Sequence, residues 1–356
     1  MDVRDFDFTL PAELIAQEPP AERGGARLLH LTRATGAIAH TSIAALPDLL
    51  RPGDLAIVNN TRVFPARLLG RRVPSGGAVE CLLVARLGSP QPHSGPTPDV
   101  WEALVHPGQK LKPGARLVFD GVHTLHGEIL ERHFFGRRLV RFWTEDGSSV
   151  DEAVDAIGHV PLPPYIKRGD THADRDRYQT LFAQARGSIA APTAGLHFSR
   201  PLLAALAARG VELAEITLHV GYGTFQPVRV DRVEDHRLEA ERYEVGDAAA
   251  AAIERARHDR RRVVAVGTTT TRTLEAVAHA NNGAIVAGAG STDLFIYPGF
   301  TFQVVGGLLT NFHLPKSSLL MLVSAFAGRD LVRTAYDAAI AERYRFYSYG
   351  DAMLMT

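Results

Sequence analysis

The sequence predicts a mixed α/β protein, in which a larger α/β domain is interrupted by a small antiparallel β-barrel. Three observations carry this. After Thr61, short alternating runs are separated by Gly and Pro; past Ser149, helical spacing alternates with apolar runs; and Leu55 to Val58, ahead of the barrel, is an apolar run of the later kind. The barrel is therefore expected as an insertion at 62–150, with 1–61 and 151–356 forming one discontinuous domain. A chain of 356 residues with 46% hydrophobic content is long enough for two such cores.

The elements follow in order. Arg67 to Val73, Ala78 to Arg86, Trp101 to Val105, Ala115 to Phe119, Thr124 to Glu131 and Arg137 to Trp143 read as strands, and these six can close a barrel. Between them, Gly88 to Asp99 has too little apolar content to pack and reads as a mobile surface loop. Ser149 and Glu152 form a capping box ahead of Val150, Ala153, Val154 and Ile157 at helical spacing. Arg175 to Ala185 reads as a helix stopped by Gly187, and Ser188 to Ala191 as a buried strand. A helix after Ser199 tolerates Pro201 in its first turn and ends at Gly210, before the strand run Val211 to Val220. Ala248 to Arg257 and Thr271 to Ala280 suit helices, Val263 to Val266 and Leu294 to Tyr297 strands, and Ser318 to Ala327 an apolar helix. The result is a layered α/β arrangement.

Composition excludes several function classes. Met1 to Phe8 lacks the basic and apolar regions of a secretory signal, and the apolar run Leu319 to Ala327 is far shorter than the roughly 20 residues that cross a bilayer. Cys81 is the single cysteine, so neither a disulfide within the chain nor a cysteine metal cluster can form, and the fifteen histidines lack the His-Glu-x-x-His zinc pattern. A reducing cytoplasm and a metal-free protein are expected. Acidic and basic residues balance at 39 each, so any nucleic-acid contact must come from local clusters. The charged run Glu254 to Arg262 is either such a cluster or a solvated helix face.

Polar segments that follow strand-like runs are candidates for one shared crevice. Asn59 to Arg67 offers amides, Thr61, Arg62 and Arg67 to anions or base edges, or else forms a capped hinge. Ala191 to Phe198 combines small residues with His197, an acid/base candidate or a satisfied core histidine. His219 to Phe225 begins like a dinucleotide loop, but Gln226 replaces the last glycine, leaving a glycine-flexible turn with His219, Tyr222 and Thr224 around a small ligand or an ordinary tight turn. Gly267 to Arg272 lies between strand and helix, where hydroxyls and free amides can face an anion or simply cap the helix. Asn311 and His313 supply a further donor and base, again against a core role.

In order and wording, these segments resemble the S-adenosylmethionine:tRNA ribosyltransferase-isomerase family over essentially the whole chain. The resemblance rests on Asp5-Phe6-Asp7-Phe8, Leu14 to Gln17, Asn60-Thr61-Arg62 through Arg67, Gly158 to Ile166 and Ala191 to Phe198. It continues through Leu218 to Phe225, Ala265 to Thr269, Thr292 to Gly299, Thr310 to Gly328 and Arg345 to Leu354. Asn60 stands where the family commonly has Asp, and Glu239 where it commonly has His. The family implies transfer of the ribosyl unit of S-adenosylmethionine to the aminomethyl group of preQ1 at the tRNA wobble position, with adenine and methionine leaving and epoxyqueuosine forming.

The resemblance implies several proton transfers, for which His197 and His313 are the expected residues, with His219 and His236 in reserve. Substrate contacts are expected from Asn60, Thr193, Gly195, Gly223, Thr224 and Asn311. Thr268, Thr269 and Arg272 are expected at the methionine carboxylate, Tyr222 or Tyr297 at the sulfonium, and Arg62, Arg67 and Lys167 at RNA phosphates where barrel and main domain join. No cofactor is expected: S-adenosylmethionine is consumed as a substrate, the partners are preQ1-containing tRNA and S-adenosylmethionine, and the chain acts as a cytoplasmic monomer away from membranes. A noncatalytic RNA-binding protein is the competing class, weakened by the neutral charge. An ordinary methyltransferase lacks support because no glycine-rich methyl-donor loop is evident.

Overall fold

In the computed structural model, residues 1–87, 99–133, 136–225 and 227–356 are described. The strands in chain order are β1 (Arg27–Thr32), β2 (Ala37–Ser42), β3 (Leu55–Asn59), β4 (Thr61–Val63), β5 (Arg67–Val73), β6 (Ala78–Arg86), β7 (Asp99–His106), β8 (Arg116–Phe119), β9 (Leu125–Arg132), β10 (Arg137–Thr144), β11 (Ala185–Ser188), β12 (Glu212–Leu218), β13 (Glu241–Val245), β14 (Val263–Val266), β15 (Gly288–Thr292), β16 (Val305–Asn311) and β17 (Ala352–Met355). The α-helices are α1 (Leu46–Leu49), α2 (Val150–Ile157), α3 (Asp174–Arg177), α4 (Arg200–Ala208), α5 (Asp247–His258), α6 (Thr268–Ala280), α7 (Ser318–Ala327) and α8 (Arg329–Ala341). Contacts divide the chain into Met1–Arg62 with Pro164–Arg168 and Arg177–Thr356, and Val63–Pro163 with Gly169–Asp176.

The first unit is built on a nine-stranded sheet of order β15-β13-β12-β3-β14-β16-β17-β1-β2. Its middle strands β12, β3, β14 and β16 are parallel, while β13, β15, β17 and β2 bring antiparallel pairings. β3 and β14 are buried at every residue, because strands covered on both faces alternate between two cores rather than between core and water. Leu55 and Ile57 join Ile253 of α5 and Leu274 of α6; Ala56 and Val58 join Leu202 and Leu206 of α4. Among the described residues, no helix is long and apolar enough to cross a membrane.

The second unit holds a closed barrel of order β10-β7-β6-β5-β8-β9, joined through antiparallel pairs. The expected six strands form within a residue or two of their expected ends. Strict alternation explains this: in β10 every second residue is buried, with Val140 and Phe142 inside. The expected capping box is also present, with Ser149 Oγ accepting the Glu152 N–H and the Glu152 side chain accepting the Ser149 N–H. The segment read as a mobile loop, Gly88 to Asp99, lies outside the described residues except for Asp99, which opens β7; Gln226 is likewise outside them.

Three expectations fail, each because a distant partner outweighs local propensity. The helix Arg175 to Ala185 is only the single turn α3. Beyond it, the Arg177 guanidinium bonds the Pro20 and Ala21 carbonyls, Thr180 Oγ1 accepts the Phe182 N–H, and the Gln184 and Ala185 amides donate to the Asn60 carbonyl. The strand placed at Ser188 to Ala191 instead spans Ala185–Ser188, after which the Ile189 amide bonds the Val220 carbonyl. Leu294 to Tyr297 is not a strand. β15 ends before it, where Thr292 Oγ1 accepts the Leu294 N–H and Arg272 takes the Thr292 and Leu294 carbonyls.

Candidate active site

The C-terminal ends of β14 and β16 open on a cleft of about 380 Å³, the position at which parallel sheets expose the unpaired ends of strands and the starts of helices. Val220, the segment Gly267 to Thr269, and Thr310 to Ser317 contribute to its lining from the sheet, and Ala190 to Ala194 closes it from a neighbouring loop. Its walls are mostly apolar, with a few hydroxyl, amide and imidazole groups.

Of the four expected histidines, only His313 lines the cleft. Its Nε2 lies 2.9 Å from Thr310 Oγ1, and its backbone N–H donates to the Tyr336 hydroxyl at 3.0 Å. Burial pushes its pKa down to about 3, so the imidazole is neutral at ordinary pH. His197 is buried one layer back, beside Asn311. Burial lowers its pKa to about 4, against the opposing influence of Asp351 and Asn311, and no hydrogen bond of good geometry reaches its Nε2 among the described residues. His219 is held by Thr61, with Nδ1 to Oγ1 at 2.9 Å, and His236 packs edge-on against Phe295. Both are partly buried, which lowers their pKa values, and neither lines the cleft.

Thr193, Thr224, Thr268, Thr269 and Asn311 also line it. α6 starts with four threonines that divide their work. Thr270 and Thr271 bond back to the Val266 and Gly267 carbonyls, whereas Thr268 and Thr269 face the cleft. Gly195 lies outside the lining and serves packing: a Cβ there would stand 2.8 Å from Thr180 Cγ2.

Other expected contacts are drawn elsewhere. Arg272, expected at a substrate carboxylate, is buried and held by Glu241, with its Nε donating to the Leu294 carbonyl at 3.0 Å. Glu241 also accepts from the Gly221 amide and the Thr224 hydroxyl, so one carboxylate ties α6 to the 221–224 turn. Tyr222 and Gly223 lie on that turn, outside the cleft lining, and the Tyr297 ring rests on Phe295. Asn60 receives the Thr217 hydroxyl and donates to Glu215. Arg67 is paired with Glu80 at 2.7 Å, while Arg62 and Lys167 are exposed. In the charged run, Arg255 and Arg261 pair with Glu212, Arg257 with Glu254, and Arg262 with Asp54.

The cleft also has residues that sequence reasoning did not single out. The rings of Tyr165 and Tyr347 lie 4.2 Å apart, Ser348 bonds the Tyr165 hydroxyl, and Lys316 stands ahead of α7. Tyr347 and Ser348 fall in the Arg345 to Leu354 segment that carried part of the resemblance, so a signal for them existed; the role of Glu241 left none. Among the described residues, no group of three or more His, Cys, Asp or Glu side chains is arranged to hold a metal ion.

Residues 3–355 match a family model described as queuosine biosynthesis protein. The chain is 50% identical over 355 residues, with 100% of both chains covered, to the S-adenosylmethionine:tRNA ribosyltransferase-isomerase of Heliobacterium modesticaldum. It is 51% identical over 356 residues, again with 100% of both covered, to the protein of that name from Desulfitobacterium hafniense. Among solved structures it resembles the S-adenosylmethionine tRNA ribosyltransferase of Thermotoga maritima, with a TM-score of 0.55 and 37% identity over 99% of this chain and 100% of that one. The chain therefore belongs to the queuosine biosynthesis protein family.

Proposed function

We propose that the chain is an S-adenosylmethionine:tRNA ribosyltransferase-isomerase. It transfers and isomerises the ribosyl moiety of S-adenosylmethionine onto the aminomethyl group of preQ1 at the tRNA wobble position, giving epoxyqueuosine-tRNA and releasing adenine and methionine. The observation that carries this, beside relatives of that name at half identity over the full length, is the cleft at the strand ends. At about 380 Å³, it suits a small molecule held by apolar walls and a few directed polar groups. S-adenosylmethionine is consumed there as a substrate.

The sulfonium acidifies the adjacent ribose carbon, so a base must take its proton, while the leaving adenine needs one and the acceptor amine must be neutral. His313 is the group for proton movement: it lines the cleft, is kept uncharged by burial, and has its Nε2 engaged by Thr310, which leaves Nδ1 to the substrate. His197 stands beside Asn311, whose Nδ2 is fixed by the Tyr347 carbonyl. Thr193, Thr224, Thr268 and Thr269 supply hydroxyls around the ligand, and the exposed Arg62 and Lys167 are available to tRNA phosphates. The tRNA substrate makes the cytoplasm the site of reaction, and the chain acts there as a monomer.

Mass spectrometry of products tests this. Purified protein with S-adenosylmethionine and preQ1-containing tRNA is expected to yield adenine, methionine and the modified nucleoside together. Folded protein that yields S-adenosylhomocysteine, or nothing, overturns the proposal.

A further inference from the structure

Among the described residues lining the cleft, Lys316 is the single one with a formally charged side chain; the others are apolar, hydroxyl, amide or imidazole groups. That ammonium meets the Asp7 carboxylate in an exposed pair, so a ligand that presents an anion at that point can take it by exchanging partners. Lys316 is held there by an unusual backbone. Its φ is 55°, in the left-handed region that costs a side-chain-bearing residue energy, and its N–H donates to the Phe6 carbonyl at 3.0 Å.

Lys316 is not committed to a strong partner. Its ammonium lies 2.6 Å from Asp7 Oδ2, but the two side chains are 44% and 49% exposed, and pairs exposed to that extent contribute only about 0–1 kcal/mol. A ligand anion can take the lysine at small cost. The chain then turns directly into α7, whose Ser317 side chain caps the Leu320 amide, leaving the Ser318 and Leu319 amides without an acceptor in the helix. One polar atom of the same lining residues, Tyr347 Oη, is buried without a hydrogen-bond partner among the described residues. The cleft thus carries hydrogen-bonding capacity that the protein leaves unused.

We propose that Lys316, with the start of α7, binds the α-carboxylate of S-adenosylmethionine and is the residue by which the enzyme requires an amino-acid end on its ribosyl donor. This rests on the ribosyl-transfer function proposed above. It moves the carboxylate site from Arg272, which Glu241 already occupies, to the opposite helix start. Asp7 holds the ammonium until the substrate arrives.

The test compares kcat/KM for S-adenosylmethionine with that for decarboxylated S-adenosylmethionine, read as adenine release in the presence of preQ1-containing tRNA. The wild type is expected to prefer the carboxylated donor by tenfold or more; Lys316→Met should bring the ratio close to one, and Lys316→Arg should restore most of it. A merely structural role lowers both values together and keeps the ratio, which overturns the inference. So does a Lys316→Met variant that loses affinity for tRNA alone, since the lysine then serves an RNA phosphate. If the wild type releases adenine from neither donor, the ribosyl-transfer function itself fails, an outcome separate from a wild type that is active but indifferent to the carboxylate.

Discussion

Thr310 Oγ1 lies 2.9 Å from His313 Nε2, and both residues line the cleft at the end of β16. The hydroxyl fixes which ring nitrogen faces the strand and so which is left for a ligand.

His313→Ala is expected to reduce turnover by about 10²–10⁴-fold, the range for losing a general acid or base. Thr310→Val should give a smaller loss, mainly in kcat, because the imidazole remains but turns more freely. Steady-state adenine release reads both; a His313→Ala enzyme within a few-fold of the wild type removes the histidine from the chemistry.

Arg272 and Glu241 form a buried pair, 6% and 5% exposed. Arg272→Ala leaves the carboxylate buried without its cation and should destabilise the fold by about 3–5 kcal/mol, while replacing both by Met should cost less, without full recovery because the Gly221 amide and Thr224 hydroxyl lose their acceptor. Urea unfolding of the single and double variants tests this. Equal losses in the two would mean that the pair itself, rather than the orphaned charge, carries the stability.

Acidification is expected to destabilise the protein through His197 and His313. Their folded pKa values, about 4 and about 3, lie below the ordinary 6.5, so the unfolded chain binds more protons in between. The stability these rings contribute is present above about pH 6.5 and is lost as pH falls toward 4, by roughly 3 kcal/mol for each ring. Unfolding free energies of wild type and His197→Gln/His313→Gln between pH 7 and 4 should diverge in slope. Parallel curves would assign the acid sensitivity to other groups.

At Gly195, an added Cβ would meet Thr180 Cγ2 at 2.8 Å and Thr180 Cβ at 3.4 Å. Gly195→Ala should therefore cost about 1–3 kcal/mol by overpacking, and Thr180→Ser, which removes that methyl, should recover part of it. Thermal melts of the single and double variants decide whether the clash is relieved.

Much of the fold was legible because its signals are local. The barrel strands announce themselves by alternation, α2 by Ser149 and Glu152, and β14 by an apolar run that ends in Gly267. α4 is bounded by Ser199 and Gly210, as its cap and breaker imply. Segments whose backbone bonds to distant groups were misread. Arg175 to Ala185 has helical residues, yet Asn60, more than a hundred positions away, takes its last amides. Leu294 to Tyr297 looks like a strand, yet Arg272 claims the carbonyls around it.

The sequence by itself determined most of the element types, the presence of both a barrel and an α/β sheet, and the family, since each is written in spacing or in ordered motifs. Only the tertiary structure decided which polar groups share the cleft. His313 and Asn311 reach it because β16 ends there; His197 lies behind; Arg272 turns to Glu241, 31 positions earlier. Lys316 gains its significance in the same way, as the one formally charged side chain among the described residues of the lining. Periodicity records which face of an element a residue occupies. The partner that face meets is set by strand order and burial, where an unpaired charge costs several kcal/mol and local propensity rarely more than about one.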